Sequence, residues 1–145
     1  MSPQTPEERF SYALHNSGRI WRAALDRRMK DLGVSQAGWL AIAYIAKSSS
    51  PLSQSELAAL VQVEAATMVS TVDKLEAAGL VGRVASETDR RVKHVVLTAA
   101  GQALHAKVKG KADGMRREIL GQIAPERLAA ATEVLEQLQN LVENS

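Results

Sequence analysis

The sequence predicts a mainly α-helical fold that carries one small β-hairpin. Three observations predict it. Alanine and leucine fill most apolar positions, and the 145 residues include only two Trp, two Tyr and one Phe, a composition that favours helices. Apolar residues recur three or four apart over most of the chain, the spacing of helix faces. One stretch, 80–98, departs from that spacing with two valine-rich runs around a polar loop, the pattern of paired strands.

Pro6, followed by Glu7 and Glu8, opens the first helix. Proline loses no hydrogen bond there, and acids favour the positive end of the helix dipole. The apolar face is Phe10, Leu14, Trp21, Leu25, Met29 and Leu32, and Gly33 ends the helix. Ser35 caps a second helix with the apolar run Trp39 to Ala46, and Ser48-Ser49-Ser50-Pro51 is a loop. Ser53 and Glu56 form a capping box. They start a short third helix on Leu57, Ala58, Leu60 and Val61 that stops near Gln62. A fourth helix runs from about Glu64 to Ala78 and ends at Gly79. Ala65, Met68, Val72 and Leu75 fall on one side of it, and Thr67, Ser70, Thr71 and Lys74 on the other.

The runs LVGRVA and VKHVVLT, joined by SETDRR, form the hairpin. Two strands alone are marginally stable, so the hairpin has to lean on the helices. Thr98 caps a long helix with Leu104, Val108, Met115 and Ile119 on one face. Gly110 and Gly114 within it each cost roughly 1 kcal/mol relative to alanine, which predicts a bend or a close contact there. Ala124-Pro125 breaks this helix and opens the last one. Leu128, Ala131, Leu135, Leu138 and Val142 then repeat at alternating spacings of three and four, a seam for another helix.

Composition excludes several function classes. There is no cysteine, so disulfides and thiolate chemistry are out. No apolar run approaches the roughly 18 residues of a membrane span, and the N-terminus lacks a signal-peptide core; the expected location is cytoplasmic. His15, His94 and His105 lie on different elements without metal-ligand spacing. Nothing resembles a phosphate loop or a nucleophile elbow, so no enzyme, cofactor or metal is expected. Net charge is only +2, but the charge is localised. Residues 9–30 hold Arg9, Arg19, Arg22, Arg27, Arg28 and Lys30 against Asp26 alone, and the segment from Glu118 is acidic. Localised positive charge is the footprint of a polyanion binder.

Two short helices with a tight turn, the second with a polar outer face, suggest a helix-turn-helix. The hairpin directly behind makes it a winged helix-turn-helix over 35–98, with the SETDRR loop as the wing. Helices over 7–33 and 99–145 flank this lobe within a single domain, 1–145.

Asp89-Arg90-Arg91 followed by Val95-x-Leu97-Thr98 matches the pattern D-x-R-x-x-x-V-x-L-T. VDKLEAAGLVGR (72–83) precedes it, and RIWRAALDRRMK (19–30) and VSQAGWLAI (34–42) stand upstream. In these segments the sequence resembles the MarR family of transcriptional regulators, most closely its SlyA branch. The resemblance runs from Arg19 to the C-terminus. It implies a homodimer whose terminal helices interlock, with two winged lobes reading a pseudo-palindromic operator. It also implies a repressor released by a small aromatic carboxylate or phenol bound between the dimer core and the lobe. A ligand-independent DNA binder that competes with other DNA-bound proteins, and a protein-interaction winged helix, are the alternatives.

The fourth helix would enter the major groove, with Thr67, Ser70, Thr71 and Lys74 facing bases and phosphates. Many relatives place arginine where Ser70 stands, so bidentate arginine readout of guanine is missing from this helix. The wing then matters more. Asp89 is expected to pair with Arg91 and hold the loop, so that Arg90 or Arg91 enters the minor groove. Arg83 and Lys93 would add phosphate contacts, and His94 is expected at the surface. For the effector, Trp39 would offer a flat wall, and Arg19 and Arg22 would pair with a carboxylate.

Overall fold

The computed structural model describes residues 4–145. The first three residues of the polar N-terminus lie outside it. The order is α1 (Pro6–Arg28), α2 (Gln36–Lys47), β1 (Leu52–Ser53), α3 (Gln54–Val61), α4 (Ala65–Ala77), β2 (Val81–Ala85), β3 (Lys93–Leu97), α5 (Ala99–Met115) and α6 (Pro125–Glu143). The protein is thus mostly helical with a small antiparallel sheet. It divides into two compact units, the first ending at Lys109 and the second running from Gly110 to Ser145.

Local chemistry sets the element ends in the first unit. The Thr5 hydroxyl accepts from Glu8 N at 3.1 Å and caps α1 ahead of Pro6. A 3₁₀ turn, Lys30–Leu32, follows α1, and Gly33 takes the left-handed φ of 76° that closes it. Ser35 caps α2 through Gly38 N at 3.1 Å. The capping box of α3 is complete: Ser53 Oγ accepts from Glu56 N at 3.1 Å, and Ser53 N donates to Glu56 Oε1 at 2.9 Å. The amide donation holds the Glu56 carboxyl below its usual pKa. Gln62, at φ 65°, ends α3 in the left-handed region without glycine.

The sheet has three strands, not the two of the expected hairpin. β2 and β3 pair antiparallel with Val81 opposite Leu97 and Ala85 opposite Lys93. β1 adds on the other side of β3, with Leu52 opposite Val95. A two-residue strand is too short to show any alternation in sequence. Its pairing with β3 ties the start of α3 to the hairpin.

Between these elements lies one apolar core. Ala41 and Ile42 of α2, Leu57 and Val61 of α3, Met68, Val72 and Leu75 of α4, and Leu52, Val81 and Val95 of the strands are buried together. Burying each of the larger side chains contributes roughly 1.5–3 kcal/mol. Thr98 secures the end of the hairpin. Its hydroxyl donates to Gly79 O at 2.6 Å and accepts from Gly101 N at 3.1 Å, while its amide donates to Leu80 O. A Cβ at Gly101 would overlap Leu80 O, so only glycine permits this approach.

In the second unit a π-helical turn, Arg116–Leu120, follows Met115, and Pro125 opens α6. Neither Gly110 nor Gly114 answers to the close contact expected of them. A Cβ at either would meet nothing within 4 Å, and α5 is helical through both. No residue of α6 is buried.

Candidate nucleic-acid interface

α3 and α4 form the helix-turn-helix, joined through Gln62, Val63 and Glu64. α4 presents Thr67, Ser70 and Lys74 to solvent. Thr71 does not join them. It is 7% exposed, and its hydroxyl donates to Thr67 O at 2.8 Å. The reason is periodicity. Position 71 lies three after Met68 and four before Leu75, so it falls within the buried stripe. Its hydroxyl, bonded one turn back, needs no outside partner.

The wing between β2 and β3 is a built loop. Ser86 is buried, and its Oγ accepts from Thr88 N at 3.3 Å and Asp89 N at 3.4 Å. Ser86 N donates to Val92 O, and Val92 N donates to Asp89 O. Asp89 Oδ1 accepts from Arg91 N at 3.0 Å and from Arg91 Nε at 3.1 Å, and Oδ2 accepts from Nη2 at 3.2 Å. The expected Asp89–Arg91 pair is present. The Arg91 guanidinium, and then its amide, hold the Asp89 carboxyl below its usual pKa. The arginine is not sequestered by this, since its side chain is 91% exposed. Arg90 and Lys93 are exposed as well, and His94 is half-buried opposite Ser53.

Arg83 departs from its expected place as a phosphate contact. Its Nη2 donates to Asp73 Oδ1 at 2.7 Å and to Gln54 Oε1 at 2.9 Å. Its Nη1 donates to Glu76 Oε1 at 2.9 Å, and its Nε to Gln54 Oε1 at 3.3 Å. All three nitrogens are engaged within the protein. Sequence reasoning missed Gln54, Asp73 and Glu76 as its partners. The spacing of Asp73 and Glu76, three apart on one helix, was the available signal.

Arg19 and Arg22 come together in an open cleft of about 540 Å³ lined also by His15, Gly18, Ala23, Gln36 and Gln62. His15, Arg19 and Arg22, spaced four and three apart, form one face of α1; that spacing could have drawn His15 into the expected set. Trp39 does not line this cleft. It is 3% exposed, and its indole Nε1 donates to Asp26 Oδ1 at 2.9 Å. The indole needs one partner when buried, and Asp26 supplies it, so Trp39 belongs to the interior. The cleft carries the two arginines, and no Trp, Tyr or Phe lines it. Among the described residues, no group of three or more His, Cys, Asp or Glu could hold a metal ion, and no helix is long and apolar enough to cross a membrane.

The model of the MarR family matches residues 32–92, which take in the helix-turn-helix and the wing up to Val92. Among solved structures, the transcriptional regulator PA3341 is 39% identical, with a TM-score of 0.85 over 94% of this chain and 99% of that one. A MarR family transcriptional regulator from Silicibacter pomeroyi is 25% identical, with a TM-score of 0.82 over 97% of this chain and 96% of that one. CouR from Rhodococcus jostii, solved with p-coumaroyl-CoA bound, shares the fold at 20% identity, with a TM-score of 0.76 over 94% of this chain and 95% of that one.

Proposed function

The chain belongs to the MarR family of transcriptional regulators, and from that premise we propose that it is a homodimeric, cytoplasmic repressor that releases its operator when a small anionic ligand binds. The observation that carries the DNA-binding part is the wing. An aspartate-braced loop with exposed Arg90 and Arg91 follows, after the single strand β2, a helix that exposes Thr67, Ser70 and Lys74. The helix suits the major groove, and the short arginine loop suits the minor groove, where negative potential is strongest in narrow A·T-rich tracts. Lys93 adds a phosphate contact beside it.

The dimer rests on apolar surface. Phe10, Tyr12, Leu14 and Ile20 of α1 and Val134, Leu135, Leu141 and Val142 of α6 are exposed in the single chain. Leucine, isoleucine, valine and phenylalanine exposed in this number on two helices suit a surface that a second copy of the same helices would cover. The SlyA-like assignment rests on the segments 19–30 and 34–42 and stays within this proposal.

The effector part rests on the cleft with Arg19 and Arg22, which suits a carboxylate. With Trp39 in the core, it offers the cleft no aromatic wall, and the charge of the ligand becomes its recognised feature. That CouR was solved with p-coumaroyl-CoA supports testing aromatic acids and their thioesters.

Selection of duplexes from a random pool, followed by gel-shift titration, tests the core of the proposal. A two-fold symmetric site bound by a dimer is expected; failure to enrich any duplex overturns it. Calorimetry with hydroxybenzoate-like and hydroxycinnamate-like acids tests the effector. Binding that is lost in Arg19→Ala or Arg22→Ala supports the cleft. Absence of binding by all of them leaves a DNA binder that acts without these ligands.

A further inference from the structure

The helix offered to DNA is acidic. Residues 64–77 carry Glu64, Asp73 and Glu76 against Lys74 alone, a net charge of −2. Like charges brought together across an interface cost affinity, so a helix of this charge is poorly suited to enter a groove walled by phosphates.

Arg83 reduces that charge from outside the helix. Its guanidinium, on β2, lies on Asp73 at 2.7 Å and on Glu76 at 2.9 Å. The cation is the inner member of the group: its side chain is 22% exposed, against 61% for Asp73 and 46% for Glu76. The remaining bonds go to Gln54, a neutral residue at the start of α3. One side chain thus joins β2, α4 and α3 and leaves the local charge at −1. To reach a phosphate, Arg83 would have to give up these bonds and leave two bare carboxylates beside the same DNA.

We propose that Arg83 is a positioning residue in the sense that it acts through Asp73 and Glu76, as the counter-ion that neutralises the carboxylates of the recognition helix, and that it makes no contact with DNA. This rests on the DNA-binding reading above. The geometry separates two kinds of arginine in the lobe. Arg90 and Arg91 stand outside to meet DNA, while Arg83 works through Asp73 and Glu76.

Gel-shift titrations on a duplex selected by the wild-type protein test the proposal. Arg83→Ala is expected to weaken binding roughly tenfold. The triple variant Arg83→Ala/Asp73→Asn/Glu76→Gln is expected to return to within about threefold of wild type, a rescue that loss of structure would not allow. The pair Asp73→Asn/Glu76→Gln, with Arg83 kept, is expected to bind as tightly as wild type or more tightly, and it tests the idea even if Arg83→Ala fails to fold. The proposal is overturned if Arg83→Ala binds like wild type, or if the carboxylate pair variant loses tenfold. It is also overturned if the triple variant stays as weak as Arg83→Ala with a salt slope shallower by about one unit per subunit, the mark of a phosphate contact. A wild-type protein that enriches no duplex ends the DNA-binding reading and the role of Arg83 with it. A wild-type protein that binds beside an unrescued triple variant removes the role of Arg83 alone.

Discussion

α4 and α6 both carry apolar residues at helical spacing, and only α4 buries them. Met68, Val72 and Leu75 of α4 are buried against α2, α3 and the strands. In α6, Leu141 and Val142 are 63% and 62% exposed, and nothing is buried. The side chains are of one kind; their surroundings differ. The winged lobe has three helices and a sheet that close on one another, whereas a single helix cannot cover its own stripe. The lobe is therefore complete in one chain. The stripe of α6 stays exposed in the single chain, and the proposed dimer is the way it would be covered.

The largest expected effect breaks α6. Leu135→Asp or Leu138→Asp should turn a dimer, of about twice the 15.6 kDa chain mass, into a monomer by light scattering, and DNA binding should go with it. A wild-type protein that is monomeric at micromolar concentration would sink this side of the comparison. Truncation inside the lobe should cost stability instead. Leu57→Ala removes a fully buried side chain, and denaturant titration should show a loss of about 2–5 kcal/mol. Leu141→Ala, on an exposed position, should matter through the dimer alone, so its cost should vary with protein concentration.

Smaller effects sharpen the contrast within the lobe between the wing and α4. Arg90→Ala and Arg91→Ala should weaken operator binding. The plot of log affinity against log salt should become shallower by about one unit for each phosphate-neutralising charge removed per subunit. Asp89→Ala should also weaken binding, although it removes a negative charge, because the loop loses its brace; tighter binding at every salt concentration would show the wing to be a simple basic patch. The pH dependence follows from the lowered pKa of Asp89. Its contribution is present above the ordinary value of 3.8 and is lost as pH falls through the lower folded value. The Arg91 amide resonance should therefore stay constant near neutrality and move only in acid. Ser70→Ala should have the smallest effect, changing which duplexes are preferred with little change in salt slope.

Much of this protein was legible in its sequence because the signals are local. Pro6 with its two glutamates, Ser35, the Ser53–Glu56 box, Gly33, Gly79 and Pro125 act within a few residues of themselves, and element boundaries followed from them. The Asp89–Arg91 brace spans two residues, so it too could be anticipated. Tertiary structure decided what depends on neighbours distant in sequence. Trp39 went inside because Asp26, thirteen residues earlier, takes its N–H. Arg83 turned inward because Gln54, twenty-nine residues earlier, and two carboxylates of α4 converge on it. A cation can serve a phosphate or a carboxylate equally well by its own chemistry, and only the fold determines which of them lies within reach.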